Sequence, residues 1–427
     1  MQNLKPLKLK IYYKLIMLTV GSIFLVNCDT NLNSTLSDDV SDLMKTESEN
    51  IEKKQINIDE LLIPKETFDI VDLLPLKKVA VILPVTGRYS KVGRAIIEGL
   101  EIQLKNYPED SIPEIVIIDS GDKDFNIRNV YNKLVLDSYD FVIGPLRKEL
   151  INKLILYSSE SLPVLTMNYP SNLDKFKKEF YQFGLLPEDE AICIAEKSII
   201  DGNNNASIIY PKNAWGKRIA DAFSLRYIEL GGNIIDEVVY EKDMNKINKS
   251  VRSLLKIEES IRRKNKIQSL LNVKLQFEPY IANDLNTIFA VGTSKDMKII
   301  KPQFNFNFAE NIPFYSTSHI YNGLFDKENN KDLNEIKFCD IPWLYNNKNI
   351  SIKKKMLENV EKNKLLRFVA LGMDSIKIIY NLEKLKTLKD KYLDGNTGYL
   401  QLDDFNKLRR NLKIVRFKNG VAREISF

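Results

Sequence analysis

The sequence predicts an α/β fold in which two mostly parallel sheets are flanked by helices. Three apolar runs, each ended by Pro or Gly, are typical of parallel strands that are covered on both faces: VAVILPV (79–85), IVIIDS (115–120) and FVIGPL (141–146). Between the first two runs, apolar residues recur every four positions and predict a helix that begins near Ser90: Val92, Ile96, Leu100 and Leu104. The alternation starts again after residue 200, which predicts a second sheet.

The second α/β unit follows a junction of strand and helix at YQFGLLPEDEA (181–191). Helices are predicted over 214–230 and in a lysine-rich region that ends near residue 271. Strands are predicted at SIIYP (207–211), NIIDEVVY (233–240) and TIFAVG (287–292). Near the C-terminus, TGYLQLDD and LKIVRFKNG alternate apolar and polar residues, and we expect them to form an antiparallel pair.

Composition places the chain among ordinary globular proteins. Of its 427 residues, 44% are hydrophobic and 28% are charged, which excludes a disordered chain, a collagen and a polytopic membrane protein. Three cysteines are too few for a disulfide scaffold. The formal net charge of +6 divides into +4 on the first 28 residues, −8 on residues 29–76 and +10 on residues 77–427. We expect the basic body to bind acidic surfaces in a manner that weakens with salt.

The N-terminus has the layout of an exported protein. Its lysines precede the apolar run LIMLTVGSIFLV (15–26), whose 12 residues are too few to span a bilayer. The residues Leu25-Val26-Asn27-Cys28 resemble the lipobox of bacterial lipoproteins. We therefore predict a signal peptide over 1–27, lipidation at Cys28 and a flexible acidic tether over 28–76. A plain cleaved signal with an incidental Cys28, or an uncleaved short anchor, is the alternative.

Two sheets in series imply a cleft between two lobes, and ligands of such sheets bind beyond the carboxyl ends of the strands. Four loops at these ends form the candidate interlobe cleft, in which a small-molecule ligand would bind. A structural turn is the alternative for each loop, and Arg88 is either an anion ligand or a solvated charge. The candidate residues are Thr86, Gly87, Arg88, Tyr89, Gly144, Pro145, Leu146, Arg147, Asn168, Tyr169, Ser316, Thr317, Ser318 and His319.

The sequence contains no nucleophile elbow, P-loop, dinucleotide-binding fingerprint or paired-cysteine metal motif. His319 is the only histidine, and its neighbouring serines point to opposite faces of a strand, so a catalytic dyad is not indicated. We therefore expect no enzymatic activity, no cofactor and no metal site, and no nucleic-acid partner for an exported protein. Cys193 and Cys339 are assigned to different lobes, so we expect no disulfide between them.

Several segments together resemble a known family. KKVAVILPVTGRYSKVGRAIIEGLEIQL (77–104) and FVIGPLRKEL (141–150) are similar to the leucine-binding type of periplasmic binding protein, which has the type 1 two-lobed fold. Later segments resemble the LppC family, the LpoA type of outer-membrane lipoproteins that activate penicillin-binding proteins. These segments are IKPQF (300–304), YSTSHIYNG (315–323), CDIPWL (339–344), LGMDS (371–375) and GNTGYLQLDDFNKLRR (395–410).

The resemblance implies a type 1 periplasmic-binding-protein-like clamshell over residues 77–427, with each lobe a mostly parallel sheet flanked by helices. Lobe one is expected at about 77–184 and 320–392, and lobe two at about 185–319 and 396–427. The resemblance further implies a regulator that binds a class A penicillin-binding protein and activates it in peptidoglycan synthesis. Enteric members carry a helical-repeat domain before this clamshell, whereas here only the tether precedes it.

The resemblance favours an anchor in the outer membrane facing the periplasm. Asp29, directly after the cysteine, instead favours the inner membrane under the sorting rule of enteric lipoproteins. The alternative function is that of a solute-binding lipoprotein for an ABC importer of an amino acid or amide. Against this alternative, Leu146 and Arg147 stand where amino-acid binders of this fold carry Ser or Thr.

Overall fold

The computed structural model describes residues 66–68, 76–171, 177–279, 281, 285–323, 326–346, 350, 351, 353 and 365–425. The predicted signal peptide over 1–27, the lipidation site at Cys28 and nearly all of the predicted tether lie outside these residues. Within the described part of the chain, no helix has both the length and the apolar composition that crossing a membrane requires.

The first part of the folded chain alternates strands and helices, as the sequence predicts. Its elements are β1 (Thr67–Phe68), β2 (Lys78–Leu83), α1 (Ser90–Leu104), a 3₁₀ helix (Glu109–Ser111), β3 (Glu114–Asp119), α2 (Ile127–Leu136), β4 (Phe141–Ile143), α3 (Lys148–Tyr157), β5 (Val164–Thr166) and β6 (Phe180–Gln182). Strands β2 to β6 form a parallel sheet in the order β3-β2-β4-β5-β6. Residues 79–83 of β2 are fully buried because apolar clusters cover both faces of the sheet.

A second α/β lobe follows in the chain. Its elements are α4 (Pro187–Ile200), β7 (Asn205–Pro211), α5 (Ala214–Glu229), β8 (Asn233–Tyr240), α6 (Met244–Leu254), α7 (Ile257–Leu271), β9 (Thr287–Ala290), α8 (Ser294–Phe306), β10 (Phe314–Thr317), β11 (Lys337–Asp340) and 3₁₀ helices at Ser318–Ile320, Lys331–Leu333 and Pro342–Leu344. The lysine-rich region predicted as helical is two helices, separated at Lys256, whose φ is 54°. Strands β7 to β11 are mutually parallel.

The C-terminal elements join both lobes. They are α9 (Leu366–Tyr380), α10 (Leu382–Thr387), β12 (Tyr392–Asp394), β13 (Tyr399–Leu402), β14 (Leu408–Asn411), β15 (Lys413–Lys418) and β16 (Val421–Glu424). Strands β15 and β16 complete a seven-stranded sheet in the order β16-β15-β11-β10-β9-β7-β8, and a small third sheet has the order β1-β12-β13-β14. Two mostly parallel sheets flanked by helices confirm the predicted fold class.

The predicted antiparallel pairing of TGYLQLDD with LKIVRFKNG is wrong. Strand β13 of the first segment pairs with β14, whereas β15 of the second pairs with β11 and β16. The sequence of β14 lacks the alternation of apolar and polar residues that predicts a strand, because its two buried positions are Leu408 and Arg410. The Arg410 side chain is buried against Asp189, which lies 3.0 Å from it, so an arginine occupies a core position.

The boundary that assigns residues 320–392 to lobe one is wrong at β11. This strand pairs with β10 and β15 in the second sheet, so Cys339 lies in the same lobe as Cys193 of α4. The two cysteines form a disulfide with 6.3 Å between their Cα atoms. The expectation of no disulfide is therefore wrong, because it depended on placing the cysteines in separate lobes. The bridge ties α4 to the sheet beneath it.

Helices α1 and α9 cross at glycines that allow their backbones to touch. A Cβ atom on Gly372 would lie 2.0 Å from the carbonyl oxygen of Ile96, and one on Gly99 would lie 2.0 Å from that of Val369. Real Cβ atoms do not approach backbone so closely, so each position requires glycine. Gly372 belongs to the LGMDS segment, and this contact gives the segment a physical role in packing.

Two of the segments that carry the family resemblance meet at a buried carboxylate. Asp374 of α9 is fully buried, and its oxygens accept hydrogen bonds from the loop that joins β12 to β13. The backbone and side-chain amides of Asn396 donate to Oδ1 at 2.7 and 2.9 Å. The backbone amide and the hydroxyl of Thr397 donate to Oδ2 at 2.7 and 2.6 Å. This arrangement fixes the loop against α9.

Candidate functional site

A cavity of about 880 Å³ lies between the first and second sheets, beyond the carboxyl ends of their strands. The first sheet contributes residues that follow β4, β5 and β6: Leu146, Met167, Asn168 and Leu185. The second sheet contributes the start of α8 and the turn after β10: Thr293, Ser294, Lys295, Lys298, Ser318, His319, Tyr321 and Asn322. Glu190 of α4 and three residues of α9 complete the wall: Arg367, Phe368 and Leu371.

The cavity brings together four residues of the candidate cleft. Leu146, Asn168, Ser318 and His319 contribute to its wall. These four follow β4, β5 and β10, which are the strand ends from which the candidate cleft was built. The role of each residue in binding stays a prediction.

The loop after β2 is hydrogen-bonded to the end of β3 and does not line the cavity. The carboxylate of Asp119, at the end of β3, accepts hydrogen bonds from the Thr86 hydroxyl at 2.6 Å and from the Val85 amide at 2.8 Å. Burial acts in the opposite direction, but these bonds and that from Gly121 lower the pKa of Asp119 to about 2. The carboxylate therefore stays ionised and fixes the loop.

The remaining residues of that loop lie away from the cavity wall. Gly87 has a φ of 72°, which a side chain would disfavour. The Arg88 guanidinium lies 5.6 Å from the centre of the Tyr89 ring, and 43% of Tyr89 is exposed. Of the two readings of Arg88, the structure shows it stacked on an exposed neighbour in a loop outside the cavity.

The loop after β4 offers one side chain to the cavity. Gly144 precedes a cis peptide bond to Pro145 and has a φ of 106°, and a Cβ atom there would lie 2.2 Å from the Ile82 carbonyl oxygen. Leu146 reaches the cavity wall. The Arg147 guanidinium instead donates a hydrogen bond to the Ser120 carbonyl oxygen at 2.9 Å. Arg147 thus connects two loops of the first lobe.

Asn168 and Tyr169 have different roles. The Asn168 amide donates to the Leu146 carbonyl oxygen at 3.3 Å and lines the cavity. Tyr169 is 1% exposed, and its hydroxyl donates to the carbonyl oxygen of Leu408 in β14 at 2.9 Å. Burial raises the pKa of Tyr169, so its hydroxyl remains a donor. Tyr169 therefore holds the third sheet and does not line the cavity.

The turn after β10 is organised around Glu190. Ser318 donates to the two Glu190 oxygens from its backbone amide at 2.7 Å and its hydroxyl at 2.9 Å. The Nδ1 atom of His319 lies 3.7 Å from Glu190 and 3.2 Å from the Thr317 hydroxyl. Ser316 is buried and donates to the Ala290 carbonyl oxygen at 2.7 Å. The serine hydroxyls are thus engaged by acceptors other than the imidazole.

Burial sets the protonation states at this turn. Burial raises the pKa of Glu190 to about 7, and the negative charge of Asp340 raises it further. Burial lowers the pKa of His319 below its ordinary value, and the Arg367 guanidinium acts in the same direction. The imidazole is therefore neutral at pH 7, and its edge contacts the Trp215 ring at a centroid distance of 5.1 Å.

Sequence reasoning missed the charged residues that support the cavity. Arg367 of α9 makes a two-pronged ion pair with the fully buried Asp340, with distances of 2.8 and 2.6 Å. The Tyr345 hydroxyl donates to the same carboxylate at 2.9 Å. Asp340 lies in the CDIPWL segment at the end of a strand, and this position could have identified it as a candidate site residue. No local signal marks Arg367, which reaches this carboxylate from a helix 27 residues later in the chain.

The cavity wall is suited to binding rather than to chemistry on a metal. Lys295 and Lys298 supply positive charge, and α8 begins at this wall, which places the positive end of the helix dipole there. Among the described residues, no group of three or more His, Cys, Asp or Glu is arranged to hold a metal ion. The polar wall can therefore bind an anionic group together with hydrogen-bonding groups.

The sequence matches the family model described as "LppC putative lipoprotein" over residues 57–420. Among curated proteins, the chain is similar to the penicillin-binding protein activator LpoA of Vibrio antiquarius (strain Ex25). The two are 27% identical over 390 residues, which covers 88% of this chain and 64% of the relative. The chain thus spans less than two thirds of the length of this relative.

Two solved structures share the fold. The LpoA (YraM) C-domain from Haemophilus influenzae, described as a regulator of PBP1A, has a TM-score of 0.64 at 18% identity and covers 82% of this chain and 100% of that chain. A "putative branched-chain amino acid ABC transporter" from Chromobacterium violaceum has a TM-score of 0.60 at 19% identity, and the match covers 80% of this chain and 100% of that chain. These similarities confirm the predicted type 1 periplasmic-binding-protein-like fold.

Proposed function

The chain belongs to the LppC family of lipoproteins, and we propose that it is a lipid-anchored regulator in the periplasm. In this proposal it binds and activates a class A penicillin-binding protein in peptidoglycan synthesis. The observation that carries the proposal is the family match over residues 57–420, which includes nearly all of the folded chain. The Vibrio relative bears the name of a penicillin-binding protein activator, and the Haemophilus domain is described as a regulator of PBP1A.

The geometry of the site supports a regulator without chemistry of its own. A nucleophilic serine requires a base within hydrogen-bond reach and a third group that orients the base. The Ser318 hydroxyl donates to Glu190 instead, and Ser316 is buried in the sheet. The charges of Arg367 and Asp340 neutralise each other in a buried pair. These side chains stabilise the junction of the lobes, which favours binding over catalysis.

The anchor in this proposal is a lipidated Cys28. It rests on the lysines, the short apolar run and the lipobox-like residues before the cysteine. Family membership favours the outer membrane, and Asp29 is the residue that favours the inner membrane instead. A Cys28→Ser variant is expected to carry no lipid and to retain its signal peptide, which mass spectrometry of the purified protein measures. An unmodified cysteine in the wild type contradicts the anchor.

Binding and stimulation test the regulatory proposal. The full-length protein in detergent is mixed with the cognate class A synthase, and both co-purification and peptide cross-linking of lipid-linked precursor are measured. We expect a stable complex and increased cross-linking. A bovine albumin control at equal concentration excludes a non-specific effect of added protein. The absence of both binding and stimulation contradicts the proposal.

A second function, solute binding for an importer, is favoured by one observation. The cavity of about 880 Å³ has a cationic, hydrogen-bonding wall, and its volume suits a small-molecule ligand. Leu146 in that wall and Arg147 beside it replace the small hydroxyl residues expected of an amino-acid binder. Thermal unfolding with and without each amino acid distinguishes the functions. A midpoint that rises at micromolar ligand supports a solute-binding protein.

A further inference from the structure

The carboxyl-terminal half of α7 leaves an apolar face uncovered. The buried residues of this helix are Ile257 and Ser260, both in its first turn. Further along, Ile267 is 48% exposed, Leu270 is 75% exposed and Leu271 is 60% exposed. Their spacing of three and four residues places them on one side of the helix. A grouped set of large exposed apolar side chains marks an interaction site.

This side of α7 forms one wall of a groove of about 590 Å³, here called the α7 groove. The other wall is the segment after the helix, which turns back so that the Leu275 amide donates to the Gln268 side chain at 3.4 Å. Apolar side chains of both walls line the groove: Ile267, Leu275 and Phe277. Basic side chains of α7 and of the residue before it also line the groove: Lys256, Arg263 and Lys264.

The positive charge of the folded chain is concentrated around this groove. Residues 244–279 contain nine Lys and Arg and three Glu, a net +6 of the +10 carried by residues 77–427. Arg263 and Lys264 form no ion pair with a carboxylate in the part of the chain that the structure describes. Their charges are therefore available to an incoming acidic group.

We propose that the α7 groove binds an acidic, amphipathic polypeptide segment of the partner synthase, an inference that rests on the proposed function. An apolar side chain of the segment would pack against Ile267 and Phe277, while its carboxylates pair with Arg263 and Lys264. The concave groove fits an inserted segment, whereas a bilayer presents a flat surface. This shape favours a polypeptide over a membrane.

Charge reversal on α7 tests this proposal in the full-length lipoprotein in detergent. The groove variant is Arg263→Glu with Lys264→Glu. The matched control, Arg262→Glu with Lys266→Glu, makes the same change of charge on the same helix, at two positions that do not line the α7 groove. All four side chains are exposed or half-buried, so both variants are expected to fold. Affinity for the cognate class A synthase is measured at low and high salt.

We expect the groove variant to bind at least tenfold more weakly and the control less than twofold more weakly, with a shallower salt dependence for the groove variant. An Ile267→Ser variant, which changes an apolar side chain of the groove wall, is expected to lose affinity at every salt concentration. If wild type and groove variant bind equally, the inference is wrong while the proposed function stands. If the wild type does not bind the synthase, the proposed function fails, and this inference with it.

A second experiment tests whether the α7 groove binds a membrane instead of a polypeptide. A chain that begins at Asp29, without the signal peptide and without the lipid attachment, is mixed with vesicles of phosphatidylethanolamine and phosphatidylglycerol without any synthase. We expect no co-sedimentation. Co-sedimentation that the groove variant abolishes and the control retains would assign the α7 groove to anionic lipid and overturn the polypeptide proposal.

Discussion

Replacing Asp374 with Asn removes two hydrogen bonds from the junction between α9 and the loop at residues 395–398. The carboxylate accepts four bonds, two on each oxygen, from Asn396 and Thr397. An amide keeps the shape of the side chain but offers one accepting oxygen, so two donors lose their acceptor and face an NH₂ group. Hydrogen bonds to charged groups contribute roughly 1.5–3 kcal/mol each, so the expected loss of unfolding free energy is about 3–6 kcal/mol.

Urea unfolding followed by tryptophan fluorescence measures this loss, because the Trp343 amide donates to the Asn396 carbonyl oxygen at 3.1 Å and reports on the same loop. Asp137→Asn is the control, since Asp137 is exposed. The control is expected to change the free energy of unfolding by less than about 0.5 kcal/mol. A loss below about 1 kcal/mol for Asp374→Asn would refute the role of these bonds in holding the loop.

Three further perturbations test separate parts of the fold. Replacing Cys193 and Cys339 with Ala should lower the free energy of unfolding by about 2–5 kcal/mol, because the bridge closes a loop of 146 residues; equal urea midpoints for the variant and the non-reduced wild type would contradict this. Gly372→Ala should cost about 3 kcal/mol or more, because the new Cβ atom meets the Ile96 carbonyl oxygen, and an unchanged thermal midpoint would exclude that close contact. Burial raises the pKa of Glu190 from 4.5 to about 7, so its stabilisation is complete below pH 4.5 and is lost as the pH rises to 7. Between pH 4.5 and pH 7, the free energy of unfolding of Glu190→Gln should therefore rise by on the order of 2–3 kcal/mol relative to that of the wild type. A difference between the two proteins that is constant with pH would contradict the raised pKa of Glu190.

The sequence predicted the strands whose burial depends on local pattern. Runs such as VAVILPV are apolar on both faces because helices cover both sides of the sheet, and this signal is carried within a few residues. Strand β14 was missed because buried Arg410 breaks the apolar alternation, and its acceptor, Asp189, lies 221 residues earlier. The disulfide was missed for a related reason, since the position of Cys339 depends on the pairing of β11 with β15.

The candidate site was predictable where it follows strand ends. Asn168 and Ser318 lie within two residues of the ends of β5 and β10, and the topology of parallel sheets brings such residues to one edge. Glu190 and Arg367 enter the site from helices, so the packing of α4 and α9 decides their position. Thr86 does not line the cavity because its hydroxyl donates a hydrogen bond to Asp119 on the neighbouring strand. The spacing of residues in the sequence does not predict this pairing.

The rate of peptide cross-linking by the cognate class A synthase tests the regulatory proposal most directly. The full-length protein is titrated into a fixed amount of synthase with lipid-linked precursor, and cross-linked products are quantified during the initial linear phase. The proposed function predicts a rate that rises and saturates at a stoichiometric amount of the regulator, with a weaker response for the Arg263→Glu, Lys264→Glu variant. A rate that stays constant across the titration, with the synthase active, would contradict the proposed function.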